Sequence, residues 1–310
     1  MRVVVTGGSG LIGRALVRDL VREGHEVVVF TRRAGAHADM PAGVHQVEWS
    51  LDDLGEWARG LDGAQAVVNL AGESIAGGSV FSILLRRWTP RVKARIESSR
   101  ILAGRALMRA LRAARNRPGV LIQSSGVDFY GRARPEELTE STPAGSDFLA
   151  RVSVAWEEST AAAETLGVRR ALIRSAVVLS PAGGILPMIA LPFRFFVGGR
   201  LGSGEQVFPW IHIADEVRAI RFLIDHPEAS GPFNLVAPQR VTNREFARAL
   251  APVLRRPNWF PTPAFALRAL LGEKSALVLG GLNPVPRRLI DLGFTFDFPD
   301  AQSALRDLYG

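Results

Sequence analysis

The sequence predicts an α/β fold built on a doubly wound parallel sheet, and three features support this prediction. Short β-branched runs alternate with amphipathic helical stretches up to about residue 175, and a glycine-rich turn separates the first run from the first helix. The regular alternation stops after about residue 180, where Gly and Pro become frequent. Strands that alternate with helices imply right-handed crossovers and a sheet covered on both faces.

The first elements show these patterns most clearly. Residues 3–5 are all valine and predict a strand buried on both faces. Residues 11–22 have helical periodicity, and Gly24 is a natural C-terminal cap. Further strands are predicted at 26–31, 44–49, 66–70, 119–124 and 169–175, and helices at 90–115 and 147–166.

The later half of the chain indicates a second unit. Residues 210–213 and 214–226 predict one more strand and helix that return to the first unit. We therefore expect one α/β domain over residues 1–179, with 207–228 returning to it. A small α+β domain would consist of residues 180–206 and 229–310.

Composition and charge exclude several classes of protein. The chain has 310 residues, of which 47% are hydrophobic and 22% are charged, as in a soluble globular enzyme. Its net charge of +8 comes almost entirely from scattered arginines, which favours solvated helix faces and no nucleic-acid partner. The absence of cysteine excludes disulfides and thiolate chemistry, and the five histidines lack metal-ligand spacing. We expect no metal.

The sequence also bears on where the protein is found. The first apolar stretch is interrupted at once by residues 6–10, which is not typical of a signal peptide. No uncharged apolar stretch reaches the ~18 residues that a membrane span needs. We therefore expect a cytoplasmic protein with a small-molecule substrate and no membrane partner.

The segment of residues 6–13, from Thr6 to the start of the predicted helix, is the strongest functional signal. Gly7 permits a tight turn out of the strand, and Gly10 lets the backbone approach a diphosphate. Gly13 allows the helix to pack on the sheet, while the helix N-terminus at Leu11 and Ile12 offers N–H groups to phosphate. The position between a buried strand and an amphipathic helix makes the motif specific.

The end of the second predicted strand indicates which dinucleotide binds. An NAD site usually places an acid there to bind the ribose 2′-hydroxyl. This strand instead runs into Arg32 and Arg33, which can form charge-assisted hydrogen bonds to a 2′-phosphate. The cofactor predicted is NADP(H), and the alternative is that these arginines point into solvent.

Other strand ends complete the predicted cofactor cleft. Asn69, Ala71 and Gly72 follow the fourth strand, and Ser124 ends the fifth. Small residues there would let the cofactor lie against the carboxyl ends of the strands, where open α/β sheets bind ligands. A purely structural turn is the alternative for residues 69–72.

These motifs resemble the extended short-chain dehydrogenase/reductase superfamily, and most specifically its atypical branch of epimerase family proteins, sometimes labelled SulA-like. Residues 6–13 resemble its TGxxGxxG motif. The resemblance implies a Rossmann domain with a small C-terminal substrate domain, and sugar-nucleotide chemistry for the superfamily as a whole. Matching segments are 69–74, 87–89, 98–100, 124–131, 156–157, 174–181, 198–204, 210–215, 234–238 and 293–294.

The superfamily's usual catalytic residues are missing. Its general acid/base tyrosine and the lysine that lowers the tyrosine pKa fall on Leu149 and Ser153, which cannot do this chemistry. The usual serine position falls on Gly126. The remaining candidates for catalysis are Ser125 beside that position, Tyr130 as the nearest phenol, and Glu73 at the rim of the cleft; each has a structural alternative.

Three further groups have both functional and structural interpretations. Arg86, Arg87, Trp88 and Lys93 form a basic patch that fits an anionic group or a solvated helix. The resemblance places Arg174 and Arg200 where substrate phosphate is bound. His212 and Asp215 look like an acid/base pair, although a helix-end role for Asp215 and a core role for His212 are favoured.

Two functions remain open at the sequence level. One is an NADP(H)-dependent reductase or epimerase acting on a small carbonyl or sugar-like substrate with a non-standard acid/base. The other is a non-catalytic NADP(H)-binding redox sensor or regulator, favoured by the missing catalytic pair. The chain is expected to be a monomer or a homodimer.

Overall fold

The computed structural model describes residues 1–33, 35, 40–75 and 87–310, and its centre is a seven-stranded parallel sheet. The strands are β1 Arg2–Thr6, β2 Glu26–Thr31, β3 His45–Glu48, β4 Ala66–Asn69, β5 Val120–Gly126, β6 Arg134–Leu138, β7 Arg169–Ser175, β8 Val177–Leu179, β9 Trp210–His212, β10 Gly231–Leu235 and β11 Leu282–Pro284. The sheet order is β3-β2-β1-β4-β5-β7-β10. The order reverses direction between β1 and β4, and such a switch point is where ligands bind in open α/β sheets. The predicted fold class is confirmed.

Helices cover both faces of this sheet. They are α1 Leu11–Arg22, α2 Pro90–Ala113, α3 Phe148–Glu158, α4 Leu186–Arg194, α5 Ile213–Asp225, α6 Asn243–Val253, α7 Ala264–Leu271, α8 Ala276–Leu279, α9 Arg287–Asp291 and α10 Ala301–Tyr309. Short 3-10 helices span Glu56–Leu61, Val127–Tyr130, Ala161–Leu166 and Gly272–Ser275. Within the described ranges, no helix is both long and apolar enough to cross a membrane.

The alternation of side chains along β1 divides the core into two layers. Val3 and Val5 pack with α1 and α5 on one face, whereas Val4 packs with Phe30 and Leu107 on the other. All three valines are fully buried. Because both faces are covered, the strand is apolar throughout and does not alternate with polar residues.

The predicted helix at 147–166 is two elements in the structure. α3 ends at Glu158, and the Ser159 hydroxyl donates to the carbonyl of Trp156 at 2.7 Å. Helix α2 crosses closely at this point, since a Cβ on Gly104 would lie 2.0 Å from Ser159 Oγ. A 3-10 helix, Ala161–Leu166, then leads to β7.

The second unit packs against the end of the sheet. A separate apolar cluster, which includes Phe193, Trp210, Phe246 and Leu305, forms its core. β10 extends the parallel sheet beside β7, so the return to the first unit continues past residue 228 to Leu235. The second residue of β10 is proline. Edge strands tolerate proline, but in a sequence a proline argues against a strand.

Candidate functional site

The carboxyl ends of β1, β4 and β5 are joined by a chain of buried hydrogen bonds. Thr6 Oγ1 donates to Asn69 Oδ1 at 2.6 Å, and Asn69 Nδ2 donates to Gln123 Oε1 at 2.8 Å. Gln123 Nε2 then donates to the carbonyl of Ser124 at 2.7 Å. The structure therefore brings together three of the predicted cofactor residues, Thr6, Asn69 and Ser124, at the carboxyl edge of the sheet.

The glycine turn follows β1 directly, and each of the three motif glycines has a different environment. Gly7 has a φ of 68°, and a Cβ there would lie 2.6 Å from the Leu70 carbonyl oxygen. A Cβ on Gly13 would lie 2.3 Å from the Gly7 oxygen, so Gly13 is required by packing. Gly10 is exposed, and the one heavy atom near its added Cβ is the Gly7 oxygen at 3.2 Å. Of the three, Gly10 leaves open surface for a ligand.

The N-terminus of α1 is suited to an anion. Gly10 is the N-cap and provides no side-chain cap, and the first turn holds no acid. α2 and α3, in contrast, are capped by the side chains of Thr89 and Asp147. The N–H groups around Leu11 and Ile12 therefore have no side-chain acceptor, and a helix N-terminus of this kind can bind an anion such as a diphosphate.

Two contacts around the turn were not predicted from the sequence. A Cβ on Gly8 would lie 2.7 Å from the Val29 side chain, so this glycine allows β2 to pack closely. Gly184, which follows β8, has its Cα beside Leu11, whose side chain would lie 3.0 Å from an added Cβ. The segment after β8 thus lies over the start of α1, which places the second unit beside the cleft.

Arg32 and Arg33 lie immediately after β2, and both are exposed. Among the described residues, neither side chain forms a hydrogen bond or an ion pair. Residues 34 and 36–39, which follow, lie outside the described part of the chain. Two exposed guanidinium groups next to the end of β2 are therefore available to bind an anion.

The loop after β4 forms the other wall of the cleft. The Ala71 N–H donates to Asn69 Oδ1 at 3.4 Å, and Gly72 is exposed. The N–H of Glu73 donates to Ser99 Oγ at 3.0 Å, while its carboxylate pairs with Arg95 at 2.9 Å. The Glu73 side chain is 27% exposed, so its carboxylate is reachable from solvent, and its place beside the cofactor stays a prediction.

A second buried network joins β5, β7 and β10 to α3. Arg174 holds Glu157 in a two-pronged ion pair, with Nε–Oε1 at 2.9 Å and Nη2–Oε2 at 3.0 Å. Ser125 Oγ donates to the same carboxylate at 2.7 Å, and Arg174 Nη1 donates to the Tyr130 hydroxyl at 3.1 Å. That hydroxyl donates to Asn234 Oδ1 at 2.6 Å. Ser125 and Tyr130 thus belong to one network.

The two members of this network that were predicted to be catalytic are both buried. Tyr130 is fully buried, and burial raises the pKa of its hydroxyl, although Arg174 acts in the opposite direction. Ser125 is 6% exposed and lies at the strand edge. Leu149 and Ser153, at the positions of the missing tyrosine and lysine, lie buried on α3.

Two residues of the basic patch near the start of α2, Trp88 and Lys93, pack against Phe148. Trp88 meets Phe148 edge to face, with ring centroids 5.5 Å apart. Lys93 pairs with Glu273 at 2.6 Å and lies 4.9 Å from the Phe148 ring centroid. Arg86, the first residue of the predicted patch, lies outside the described residues.

His212 and Asp215 stabilise the start of α5. The N–H of Ala214 donates to His212 Nδ1 at 3.1 Å, and burial lowers the pKa of this histidine. Asp215 is fully buried and accepts hydrogen bonds from the N–H groups of Asp297 and Phe298, both at 2.9 Å. The burial of His212 agrees with the core role favoured for it, although it is also the N-cap of α5; Asp215 lies in the first turn of α5, but its backbone hydrogen bonds join the helix to residues 297–298.

Arg200 lies in the loop before β9, where it donates to the carbonyls of Gly202 and Ser203 at 2.7 and 2.9 Å. The same side chain lines an open recess of about 200 Å³ together with Arg244 and Trp259. This recess belongs to the second unit.

A glycine turn that opens an uncapped helix at the switch point of a parallel sheet, beside two exposed arginines, defines a dinucleotide-binding protein of the Rossmann type. The model of the NAD dependent epimerase/dehydratase family matches residues 3–236, and a domain of unknown function, DUF1731, matches residues 262–308. The chain therefore belongs to the NAD-dependent epimerase/dehydratase family, as its motifs predicted.

Individual relatives cover almost the whole chain. The epimerase family protein YfhF of Bacillus subtilis is 35% identical over 99% of this chain and 98% of its own length. A chloroplastic homologue of epimerase family protein SDR39U1 from Arabidopsis thaliana is 40% identical over 99% of this chain and 86% of its own. The crystal structure of human SDR39U1 isoform 2 with NADPH has a TM-score of 0.87 and 33% identity, covering 100% and 99% of the two chains.

Proposed function

We propose that this protein is an NADP(H)-dependent oxidoreductase or epimerase that acts on a small carbonyl or sugar-like substrate at the carboxyl edge of the sheet. The observation that carries the proposal is the uncapped N-terminus of α1 behind an exposed Gly10. That cradle supplies N–H groups and space for a diphosphate and has no other occupant in the described chain.

The cofactor follows from the residues and from the human relative. That relative was crystallised with NADPH, which agrees with the NADP(H) predicted from the sequence. Gly10, Leu11 and Ile12 would hold the diphosphate, and Arg32 and Arg33 would meet the 2′-phosphate. The loop that contains Ala71 and Gly72 would lie beside the ribose and nicotinamide end.

Reduction of a carbonyl needs one hydride, which the bound cofactor supplies, and one proton, which must come from the protein or solvent. Ser125 donates its own proton to Glu157, so toward a substrate it acts as a hydrogen-bond acceptor and orients a hydroxyl. The partly exposed Glu73 carboxylate can accept the proton of a substrate hydroxyl during oxidation; during reduction it takes a proton from solvent and passes it to the carbonyl oxygen. We assign proton transfer to Glu73 and orientation to Ser125.

Tyr130 supports this site from behind. Its hydroxyl is fully buried between Asn234 and Arg174, and Arg174 in turn fixes the Glu157 carboxylate that Ser125 contacts. Proton transfer by Tyr130 stays a prediction, and its burial favours a positioning role.

A second candidate function is that of a non-catalytic NADP(H)-binding sensor. The observation in its favour is that α3 carries Leu149 and Ser153 in place of the acid/base pair. Such a protein would bind the cofactor and leave it unconverted.

Turnover distinguishes the two functions. Purified protein is mixed with NADPH and a panel of small aldehydes, ketones and 2-oxo acids, and nicotinamide absorbance is followed. The enzyme proposal predicts consumption of NADPH with at least one panel member, and a fall in kcat of about 100-fold in Glu73→Gln with unchanged NADPH affinity. Glu158→Gln, on the exposed side of α3, is the control. Tight NADPH binding without turnover across the panel would support the sensor.

A further inference from the structure

A buried guanidinium lies at the same edge of the sheet, outside the residues assigned so far. Arg100 of α2 is 6% exposed, and its Cζ lies 4.8 Å from the Trp156 ring centroid. On the other side, a Cβ added to Gly72 would lie 3.2 Å from Arg100 Cγ and Cζ. The guanidinium is therefore held between the loop after β4 and the end of α3, behind the wall proposed to face the nicotinamide.

The charge of Arg100 has no counter-ion among the described residues. Its one hydrogen bond there runs from Nη1 to the carbonyl of Ile96 in its own helix, at 2.8 Å. The nearest acids, Glu73 and Asp128, pair with Arg95 and Arg132 respectively. Burial lowers the pKa of Arg100 to about 10, with Asp128 and Glu73 acting in the opposite direction. A buried cation left unpaired is costly to the folded state.

The unused part of the guanidinium is its Nε–Nη2 edge. Neither nitrogen forms a hydrogen bond within the described part of the chain, where the one bond of this side chain uses Nη1. Arg174 shows what this edge does elsewhere in the same protein, where its Nε and Nη2 bind the two oxygens of Glu157 at 2.9 and 3.0 Å. A planar fork of two N–H groups matches a carboxylate.

We propose that the Nε–Nη2 edge of Arg100 binds a carboxylate group of the substrate, which makes the substrate a small carbonyl or hydroxyl compound that also bears a carboxylate. This assignment rests on the proposed function, because it places the substrate beside Gly72 and Glu73. Arg100 then supplies the cation that the missing lysine of α3 does not. A bound carboxylate would neutralise this charge and so offset the cost of burying it.

Oxalate is the probe for this site. The NADPH-loaded protein is titrated with oxalate by calorimetry, in wild type and in Arg100→Met, Arg100→Lys and Arg105→Met. Arg105 lies exposed on the same helix and serves as the matched control. The proposal predicts oxalate binding that weakens at least about tenfold in Arg100→Met, weakens less in Arg100→Lys, and is unchanged in Arg105→Met.

Two further measurements separate the outcomes. Arg100→Met should bind NADPH as wild type does and unfold at the same or a higher temperature, since an unpaired charge is removed. In wild type, oxalate should protect Arg100 from modification by phenylglyoxal, as read by peptide mass spectrometry. Absence of oxalate binding in wild type, equal binding in Arg100→Met, or a markedly lower unfolding temperature would overturn the role of Arg100. Failure of wild type to bind NADPH would instead overturn the proposed function.

Discussion

At the scale of single residues, the preference for NADP(H) depends on Arg32 and Arg33, which are exposed and have no side-chain partner in the described chain. Replacing both with alanine removes charge-assisted hydrogen bonds to the 2′-phosphate, each worth about 1.5–3 kcal/mol. We expect NADPH affinity to fall by about 100-fold or more while NADH affinity stays the same, as measured by fluorescence titration. Arg18→Ala, exposed on α1, is the control. Equal losses for both cofactors would contradict the assignment.

Gly10 and Gly13 allow a second test with single substitutions. Gly10 is exposed, whereas Gly13 packs against the backbone of the turn. An alanine at position 13 would place Cβ 2.3 Å from the Gly7 oxygen, so Gly13→Ala should lower the unfolding temperature. At position 10 the contact is 3.2 Å and the residue is exposed, so Gly10→Ala should fold normally and bind NADPH more weakly. Thermal melts and NADPH titrations of both variants give the comparison. The account fails here if Gly10→Ala binds NADPH as tightly as wild type.

At the scale of elements, the network around Tyr130 links β5, β7 and β10. Tyr130→Phe leaves the buried Asn234 Oδ1 without its hydroxyl donor and removes one of the two acceptors of Arg174 Nη1, which should reduce the free energy of unfolding by about 1–3 kcal/mol. The matched control is Tyr309→Phe, because the Tyr309 hydroxyl has no hydrogen-bond partner in the described chain. Urea unfolding measures both variants. A loss of kcat of about 100-fold or more in Tyr130→Phe, with unchanged stability, would point to proton transfer by the phenol itself.

Helix α5 carries a buried acid that makes stability depend on pH. Burial raises the pKa of Glu216 to about 8 from its ordinary 4.5, and the carboxyl accepts a hydrogen bond from Ser175 Oγ at 2.6 Å. Between these pH values the folded state holds a proton that the unfolded state releases. The stabilisation is complete below pH 4.5 and is lost as the pH rises through 8.

Glu216→Gln removes this proton linkage. Relative to the variant, wild type should lose up to about 1.4 kcal/mol of unfolding free energy per pH unit across that range. Urea unfolding at several pH values tests this expectation, and Glu228→Gln, on the surface, should follow wild type. Parallel pH curves for wild type and Glu216→Gln would show that the carboxyl titrates normally.

At the scale of the whole molecule, the sequence predicted the parallel sheet well because its strands are apolar on both faces. Residues such as Val3 and Val28, together with the glycine turn, leave few other folds. Prediction was weaker where an element depends on contacts between distant parts of the chain. The break after Glu158 depends on the close approach of Gly104, and the edge strand β10 begins with a glycine and a proline.

The candidate site likewise contains residues that a local motif predicts and residues that only distant contacts bring together. Residues 6–13 carry a local motif, so the cradle could be predicted from spacing alone. The pairing of Ser125 with Glu157, and the unpaired charge of Arg100, depend on side chains that meet from α2, α3 and β5, far apart in the sequence. Such meetings leave no periodic signal, although Glu157 and Arg100 both lie within segments that resembled the family.

The proposed function requires NADP(H) to lie across the carboxyl edge of the sheet, with its diphosphate at α1. A crystal structure of this protein grown with NADPH would show where the cofactor binds. We expect diphosphate oxygens within hydrogen-bond distance of the N–H groups of Leu11 and Ile12, and the 2′-phosphate beside Arg32 or Arg33. Cofactor bound elsewhere, or no cofactor in crystals grown with NADPH in excess, would contradict this expectation.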